Sequence, residues 1–449
     1  MTSIPLGLKS YKRTNGFQPE VELVNLVLEQ DDSGGSPDNV MRLQRPGLNA
    51  FTTLGGPIRG IFQTDQVLNG AWFAVNGNML TRFLPDLAAI GSVTGSEPVS
   101  FAATFNAVYV LGGGQVHRWD GTTFSAIALP SDYPGTPISI ETINSYLIIF
   151  CSTGRFYWLE PGTSVVDPLN FATAESSPDG GVAVTRLIDE LFFGGTVSIE
   201  PWQPSGDLDA PFQKAGGRQF ERGVLARDTM RRFDNSIVWV GEDLIVYRVG
   251  SVPTRISDHG IEERLRKRTA SPTAWTFGED GHKYYALRIP GQGTFVYDAA
   301  SGGVWSEFRT PGRSVWAAHV GASSPAYTLA GDSDTSAIYR IDASVATDAG
   351  VAFPRIVSAT VPLVGRGGRN DSFSISIGVS ANCVVKVRWR DGNEPYPDYY
   401  EEMPAEAGAN ILNVYRLGSV SQPFRTFEVL VEDPVLVRIS GAVVNEAYQ

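Results

Sequence analysis

Short apolar runs separated by glycine turns recur along most of this chain. The segment AVYVLGGGQVHRWDGTTFSAI, residues 107–127, shows the unit: an apolar run, three glycines, and a run in which apolar and polar residues alternate. A phosphate-binding loop would need its glycines to be followed by a helix, and QVHRWD alternates as a strand does. The glycine spacing also matches neither the dinucleotide nor the P-loop pattern. The pattern therefore predicts a β-hairpin with its turn at 112–114.

The same phrase returns at a nearly constant interval. Its turns fall at Gly77, Gly114, Gly154, Gly195, Gly241, Gly293 and Gly331, with spacings of 37, 40, 41, 46, 52 and 38 residues. A period near 40 residues with several strands in each unit is typical of a β-propeller. We therefore predict about seven blades, and the two longest spacings leave six blades open.

One repeat divides completely into four strands, at 99–104, 107–112, 115–120 and 124–129. A four-stranded blade that is apolar on both faces must pack against a blade on each side. Large aromatic residues recur at equivalent places, and we expect them to be core residues, because aromatics dominate cores by buried area. They are Trp72, Phe73, Tyr109, Phe150, Phe192, Phe193, Trp239 and Tyr285.

The pattern divides the chain into three parts. Residues 1–56 form a lead-in of strands and a polar loop, residues 57–345 carry the repeats, and residues 346–449 alternate without the repeat phrase. Alternating strands between Gly, Pro and Asp loops predict a C-terminal β-sandwich-like domain. We also predict that VELVNLVLEQ, residues 21–30, adds the outer strand to the last blade and so locks the ring.

Composition and charge narrow the class. With 48 Gly, 28 Pro and 42% hydrophobic residues, the 449-residue chain is typical of a turn-rich globular protein. Cys151 and Cys383 fall in different predicted domains, so no disulfide framework is expected, and no apolar run suggests a signal peptide or membrane span. A net charge of -12 argues against general nucleic-acid binding, because that affinity comes from neutralising phosphates. We expect a protein made and kept in a reducing, soluble compartment.

Two irregular segments interrupt the repeats. SDHGIEERLRKR, residues 257–268, is a predicted helix with i, i+4 ion pairs Glu262/Arg266 and Glu263/Lys267. PWQPSGDLDAP, residues 201–211, is a predicted protruding loop. A lone charged helix is either a solvated face or a contact with a partner. We take as candidate assembly contacts Glu262, Glu263, Arg266, Trp202, Asp207 and Asp209.

The sequence favours no catalytic site. Its histidines, His117, His259, His282 and His319, do not fall in a metal-binding pattern. Asp332 begins a run that lacks the glycine and glutamate of a calcium loop, and the Asp box of propeller sialidases is absent. We therefore predict a protein that is not an enzyme and that has no cofactor or metal.

A family resemblance adds what periodicity cannot. GGTVSIEPW, RGVLARDTMRRFDNSIVWVGEDLIVYRV, ISDHGIEERLRK and TFVYDAASGGVWSEFRT, in this order, resemble the tail hub protein of short-tailed bacteriophages, the packaged-DNA stabilisation protein or tail accessory factor. The lead-in motifs VNLVLEQ and RLQRPGL are similar to the start of these hubs and of related phage nozzle proteins. The resemblance covers most of residues 20–330 and is weak in the last hundred.

The resemblance implies a structural protein of the virion, made in the host cytoplasm. Such hubs form a ring, usually a hexamer, below the portal and the head-to-tail adaptor. They close the DNA exit after packaging and carry tail spikes, fibres or a needle. Double-stranded DNA would pass along the ring axis without tight binding, and no membrane would be involved.

Two other classes stay open. A cellular or secreted β-propeller scaffold of the WD40 or kelch type shares the architecture, but its signature motifs do not recur in this chain. A glycan-active propeller would need a carboxylate constellation and a leader, and the sequence suggests neither.

Overall fold

The chain folds almost entirely into short β-strands, as the alternation of apolar and polar residues predicted. The computed structural model describes residues 2–4, 6–12, 20–32, 39–65, 67–133, 135–174, 179–300, 302–362, 368–420 and 422–446. Part of the polar loop expected in the lead-in, residues 33–38, lies outside them. The lead-in contains β1 (Thr2–Ile4), β2 (Leu23–Val24), β3 (Leu26–Gln30), β4 (Val40–Gln44) and β5 (Gly47–Thr53).

Six four-stranded antiparallel blades follow in chain order. Blade one is β6 (Ile58–Gln63), β7 (Trp72–Asn76), β8 (Met79–Leu84) and β9 (Ala88–Ser92); blade two is β10 (Ser100–Thr104), β11 (Ala107–Gly112), β12 (Gln115–Trp119) and β13 (Phe124–Ala126); blade three is β14 (Pro137–Ile143), β15 (Tyr146–Cys151), β16 (Arg155–Leu159) and β17 (Phe171–Thr173).

The next three blades have the same order of strands. Blade four is β18 (Gly181–Leu187), β19 (Glu190–Gly195), β20 (Ile199–Pro204) and β21 (Phe212–Lys214); blade five is β22 (Arg231–Phe233), β23 (Ser236–Val240), β24 (Val246–Val249) and β25 (Pro253–Arg255); blade six is β26 (Thr273–Glu279), β27 (His282–Ile289), β28 (Gly293–Asp298) and β29 (Val304–Phe308). Helix α1 (His259–Arg266) connects blades five and six, and short 3₁₀ turns cover Leu68–Gly70 and Arg227–Thr229.

Blade two confirms the predicted division into four strands and shows why blades must stack. Every residue of β11 is buried, and its side chains alternate between two cores. Val108 and Val110 join the apolar cluster shared with blade one, whereas Tyr109 and Leu111 join the cluster shared with blade three. Each blade therefore depends on both neighbours for the burial of its apolar faces.

The three glycines at 112–114 form the predicted hairpin turn between β11 and β12. Gly112 pairs with Gln115, and Gly113 and Gly114 adopt φ values of 56° and 76°. Two successive residues in this left-handed region are typical of the tight hairpin turn that favours glycine. The phosphate-loop interpretation is therefore excluded by geometry.

Blade seven is completed by a strand from the other end of the repeat region. It contains β30 (Val320–Ser323), β31 (Thr328–Gly331) and β32 (Ala337–Asp342), and its outer strand is β5. Gly47 pairs with Asp342, and Thr53 pairs with Ala337. The structure thus has seven blades, and the lead-in locks the first repeat to the last. The prediction that residues 21–30 supply the closing strand is wrong, because the closing strand is β5.

The segment 21–30 instead links the propeller to the C-terminal domain. Val24 of β2 pairs with Glu307 of blade six, and Leu23 pairs with Val357 of the C-terminal domain. The result is a continuous nine-stranded sheet from the propeller axis to the far edge of the C-terminal domain.

The last part of the chain forms the predicted β-sandwich. After β33 (Thr347–Asp348) and β34 (Val351–Ala352), it contains β35 (Arg355–Pro362), β36 (Gly368–Val379), β37 (Cys383–Asp391), β38 (Glu401–Ala405), β39 (Gly408–Tyr415), β40 (Ser419–Val420), β41 (Phe424–Val431) and β42 (Val437–Glu446). One layer has the order β35-β41-β37-β38, and the other has the order β3-β4-β42-β36-β39, with β1 beside β42. Phe373 and Phe427 stack between the layers with ring centres 4.4 Å apart.

The recurring aromatic residues are core residues, as predicted. All eight are buried between blades: Trp72, Phe73, Tyr109, Phe150, Phe192, Phe193, Trp239 and Tyr285.

The topology gives the propeller two distinct faces. The first and third strands of each blade run towards one face, so the turns after them lie there; we call it the first face. The turns after the second strands, and the connections between blades, lie on the second face. None of the helices in the described parts of the chain is long and apolar enough to cross a membrane.

Candidate functional site

The blades surround an axial cavity of about 410 Å³, lined by the first strand of each blade. That volume is far too small for a DNA duplex that would cross the propeller. DNA cannot pass through the centre of a single subunit without unfolding it.

Arg227 connects three blades near the second face. Arg227 precedes blade five, and its guanidinium donates to the carbonyl of Pro98 before blade two, at 2.5 Å, and to that of Ile138 in blade three, at 3.2 Å. It also pairs with Asp228 at 3.0 Å. Because these partners lie on different sides of the ring, the side chain ties three blades together across the axis.

Two other charged groups at the axis are held by the backbone. Arg59 donates to the carbonyls of Glu97, Gly77, Val93 and Thr94 at 2.8–3.0 Å. Glu141 accepts backbone N–H bonds from Thr142 and Arg186, at 2.9 and 3.1 Å. Burial nevertheless raises the pKa of Glu141.

The histidines do not form a shared site. His117 stacks on Phe124, and His259 contacts Glu262 at 3.2 Å. His282 contacts Asp298 at 2.7 Å, and His319 contacts the hydroxyl of Thr273 at 2.6 Å. Within the described ranges, no cluster of three His, Cys, Asp or Glu residues could hold a metal ion.

Arginines pair with two carboxylates in the run that begins at Asp332. Asp332 is fully buried and accepts from Arg313 at 2.7 Å. Asp334 pairs with Arg288 at 3.1 Å. A carboxylate already neutralised by a guanidinium is a poor ligand for a hard cation. The two ion pairs instead hold the loop between β31 and β32 in place.

The prediction that residues 201–211 form a loop is wrong for the first four, which belong to strand β20, so the loop is 205–211. The segment has a buried base and an exposed tip. Trp202 is 6% exposed, packs against Phe156 with ring centres 5.1 Å apart, and donates its indole N–H to Glu200 at 3.1 Å. Asp207 and Asp209 are exposed, and an oxygen of Asp207 accepts the backbone N–H of Asp209 at 2.9 Å. The two aspartates are therefore accessible to a partner, whereas Trp202 holds the blade together.

Helix α1 also has a buried side and an exposed side. Asp258 caps it by accepting the N–H of Ile261 at 3.0 Å, and Ile261 and Leu265 are buried against blades five and six. The predicted ion pair Glu263/Lys267 is present, with an N–O distance of 2.8 Å. The predicted ion pair Glu262/Arg266 is wrong, because Glu262 pairs with Arg255 instead.

Glu262 is 2% exposed and contacts Arg255 at 2.6 Å and Ser257 at 2.9 Å. The strand and turn before the helix supply both partners, which lie closer to this inward-facing carboxylate than the exposed Arg266 does. Glu262 therefore holds α1 to its blade, and Glu263 and Arg266 lie on the accessible side.

The sequence did not predict the buried ion pair between Arg45 and Asp348. Arg45 is fully buried and donates to both carboxylate oxygens of Asp348, at 3.0 and 2.7 Å. Its guanidinium also lies 3.9 Å from the ring centre of Phe353. The RPGL turn at 45–48 was the only signal, and nothing in it pointed to a partner 303 residues away.

The fold and these surfaces define a seven-bladed β-propeller with an axis too narrow for a DNA duplex, joined to a β-sandwich. Structural interactions engage its buried charged groups. A family model confirms the expected identity at the level of the family: residues 2–346 match the phage stabilisation family described as bacteriophage P22 Gp10, beta-propeller. The chain belongs to this family and is a bacteriophage structural protein, a component of the virion.

The solved structures that the chain resembles are distant in sequence. The computationally designed Ika8 protein is 13% identical, with 75% of this chain and 100% of that chain covered and a TM-score of 0.41. YCF48 from Cyanidioschyzon merolae is 13% identical over 66% of this chain and 98% of that chain, with a TM-score of 0.42. The WD40 propeller domain of Doa1 is 12% identical over 66% and 96%, with a TM-score of 0.40. No curated protein sequence matches the chain.

Proposed function

We propose that this chain forms the hub or nozzle ring of a short phage tail. In this proposal several copies, six by the resemblance, surround the DNA exit below the portal and the head-to-tail adaptor. The ring retains the packaged DNA, opens for ejection, and anchors tail spikes, fibres or a needle. The protein is made in the host cytoplasm and performs no catalysis.

The observation that carries the proposal is the match to the phage stabilisation family across a propeller whose own axial cavity is too small for a DNA duplex. Because the axial cavity is too small for a duplex, a conduit for DNA requires several subunits around a common axis. Ring-forming subunits use heterologous interfaces, in which one surface meets a different surface of the neighbour. The exposed tip of the 205–211 loop and the exposed side of α1 are our candidates for such surfaces.

Charge supports a conduit that DNA passes without binding. The chain carries 48 acidic and 36 basic residues, and duplex DNA is held mainly by neutralisation of its phosphates. A wall with excess negative charge keeps the duplex away from its surface and allows fast release. Arg231 and Arg232 line the axial cavity of the propeller itself, so we do not count them in the proposed lumen between subunits.

A phage that lacks this chain tests the proposal. Heads should fill with DNA and then lose it, so that the DNA becomes sensitive to nuclease, and the wild-type gene supplied in trans should restore retention. Particles that keep their DNA and remain infectious without the chain would overturn the proposed function.

A further inference from the structure

The first face of the propeller carries an excess of acidic and apolar residues. The turns and loops on this face contain Asp65, Asp86, Asp120, Glu160, Asp167, Asp189, Asp207, Asp209, Asp234 and Asp280, and the sequence places no lysine or arginine in them. Arginines on the strands neutralise part of this negative charge: Arg82 pairs with Asp86 and Arg248 pairs with Asp234, both at 2.8 Å. The excess is left mainly on blades three and four.

The loops of blades three and four also expose large apolar side chains. The loop 160–170 exposes Leu169 to 81% and the loop 205–211 exposes Leu208 to 87%, with Ile188 exposed in the turn between them. The two loops are neighbours, because Trp158 before the first packs at 5.7 Å against Phe212 after the second. We call the loops 160–170 and 205–211 with the turn 188–189 the acidic rim.

The connection that contains α1 has the opposite charge and lies on the opposite face, because it follows the fourth strand of blade five. Its exposed cationic residues are Arg266 and Lys267, and the N-terminal segment that lies along it adds the exposed Lys9 and Lys12. We call these four residues and the half-buried Arg268 the basic patch. Ion pairs with Asp258, Glu20 and Glu263 balance the three lysines. The cationic excess is therefore carried by Arg266 at the end of the helix and by Arg268 just after it, whose guanidinium also donates to the carbonyl of Leu265 at 2.8 Å. Leu8, exposed in the segment that lies along α1, adds an apolar side chain.

We propose that the acidic rim of one copy docks on the basic patch of the next copy in the ring. The inference rests on the proposed ring and names the surfaces that build it. The rim and the patch have opposite charge, both include exposed apolar side chains, and they lie on opposite faces, so they cannot meet within one copy. Such a contact is heterologous, as ring closure requires. Apolar burial supplies affinity, and the charges select the orientation and exclude a rim-to-rim contact.

Charge exchange tests this contact. In the full-length protein, Asp207→Lys with Asp209→Lys should weaken subunit association about tenfold or more, because like charges then face each other. Arg266→Glu with Arg268→Glu should do the same. The protein that carries all four changes should recover association to near the wild-type level. Recovery separates a direct contact from damage to the fold, and circular dichroism of each variant serves as the control.

Cross-linking gives an independent test, because the two natural cysteines, Cys151 and Cys383, are buried. A chain with Asp209→Cys and Arg266→Cys should form a ladder of covalent oligomers with a short bis-maleimide, and chains with either change alone should stop at dimers. Glu402→Cys with Arg266→Cys, which places one cysteine on the sandwich edge, is the matched control. The inference would be overturned by an equal ladder from the control, or by a protein with all four charge changes that stays dissociated. Either result would leave the proposal of a ring untouched. Wild-type protein that is absent from virions would overturn the proposed function itself.

Discussion

Arg45 and Asp348 form a two-pronged ion pair at the junction of blade six, blade seven and the sandwich, with N–O distances of 3.0 and 2.7 Å. Arg45 also donates to the carbonyl of Arg309 after blade six, at 3.0 Å, and to the side chain of Asn25, at 2.8 Å. Asp348 in turn accepts from the hydroxyl of Thr310 at 2.8 Å. One buried charge pair therefore connects the lead-in, the propeller and the segment that enters the sandwich.

Removing one partner of this pair should strongly destabilise the protein. Arg45→Met should lower the free energy of unfolding by about 3–5 kcal/mol, because it leaves the Asp348 carboxylate buried and uncompensated. Urea unfolding followed by tryptophan fluorescence measures the loss. Arg82→Met is the matched control, since its pair with Asp86 is largely exposed and should contribute less than about 1 kcal/mol. Equal effects of the two substitutions would contradict this role for Arg45.

Because β5 closes the propeller by pairing with β32, a side chain that disturbs β5 should destabilise blade seven. A methyl group at Gly47 would lie 2.5 Å from the carbonyl oxygen of Val345 and 2.6 Å from that of Thr347. Gly47→Ala should therefore shift β5 away from blade seven and cost about 1–3 kcal/mol, the usual cost of overpacking.

The control for this variant is Gly250→Ala, because nothing lies within 4 Å of a methyl group at that position. Hydrogen exchange should show faster exchange in β5 and β32 for Gly47→Ala alone. Unchanged protection of these two strands would argue against closure by β5.

The repeat pattern predicted the blades because each hairpin is local: Gly113 and Gly114 lie directly between the two strands that they connect. The partner of β5 could not be predicted in the same way. Both β5 and residues 21–30 are apolar strands of the lead-in, and only long-range packing decides which one reaches β32. The same dependence on long-range packing explains the wrong prediction for Glu262. Its i, i+4 spacing to Arg266 is typical of an ion pair on a helix, but the folded chain brings Arg255 to 2.6 Å from its carboxylate.

Stability should fall at acidic pH through His319. Burial lowers the pKa of His319 to about 4, from 6.5 in the unfolded chain. Because the unfolded chain binds the proton more readily, the folded state loses stability as the pH falls from about 6.5 to 4. His282 has the opposite sign, since the hydrogen bond with Asp298 raises its pKa, and its contribution is lost as the pH rises through the folded value.

Unfolding measured from pH 4 to 8 should separate the two histidines. His319→Asn should flatten the profile between about pH 6.5 and 4. His282→Asn should instead remove the loss of stability that occurs as the pH rises above 6.5 through the folded pKa of His282. An acidic limb that is unchanged in His319→Asn would show that this histidine is not neutral in the folded protein.

DNA should not be retained by the isolated protein. At physiological salt we expect binding to duplex DNA weaker than about 10⁻⁴ M, the weak end of non-specific association. Fluorescence anisotropy with a labelled duplex measures it, and a basic DNA-binding protein serves as the positive control. A micromolar affinity that falls steeply with added salt would show a basic lining and contradict the passive conduit.

The central claim is that DNA passes between subunits arranged in a ring, and electron cryomicroscopy of the intact tail tests it most directly. The account predicts a closed ring of this chain around the DNA exit, with the duplex on the common axis and no DNA in the axial cavity of any propeller. A single copy at the exit, or DNA density that runs through the centre of a propeller, would contradict it.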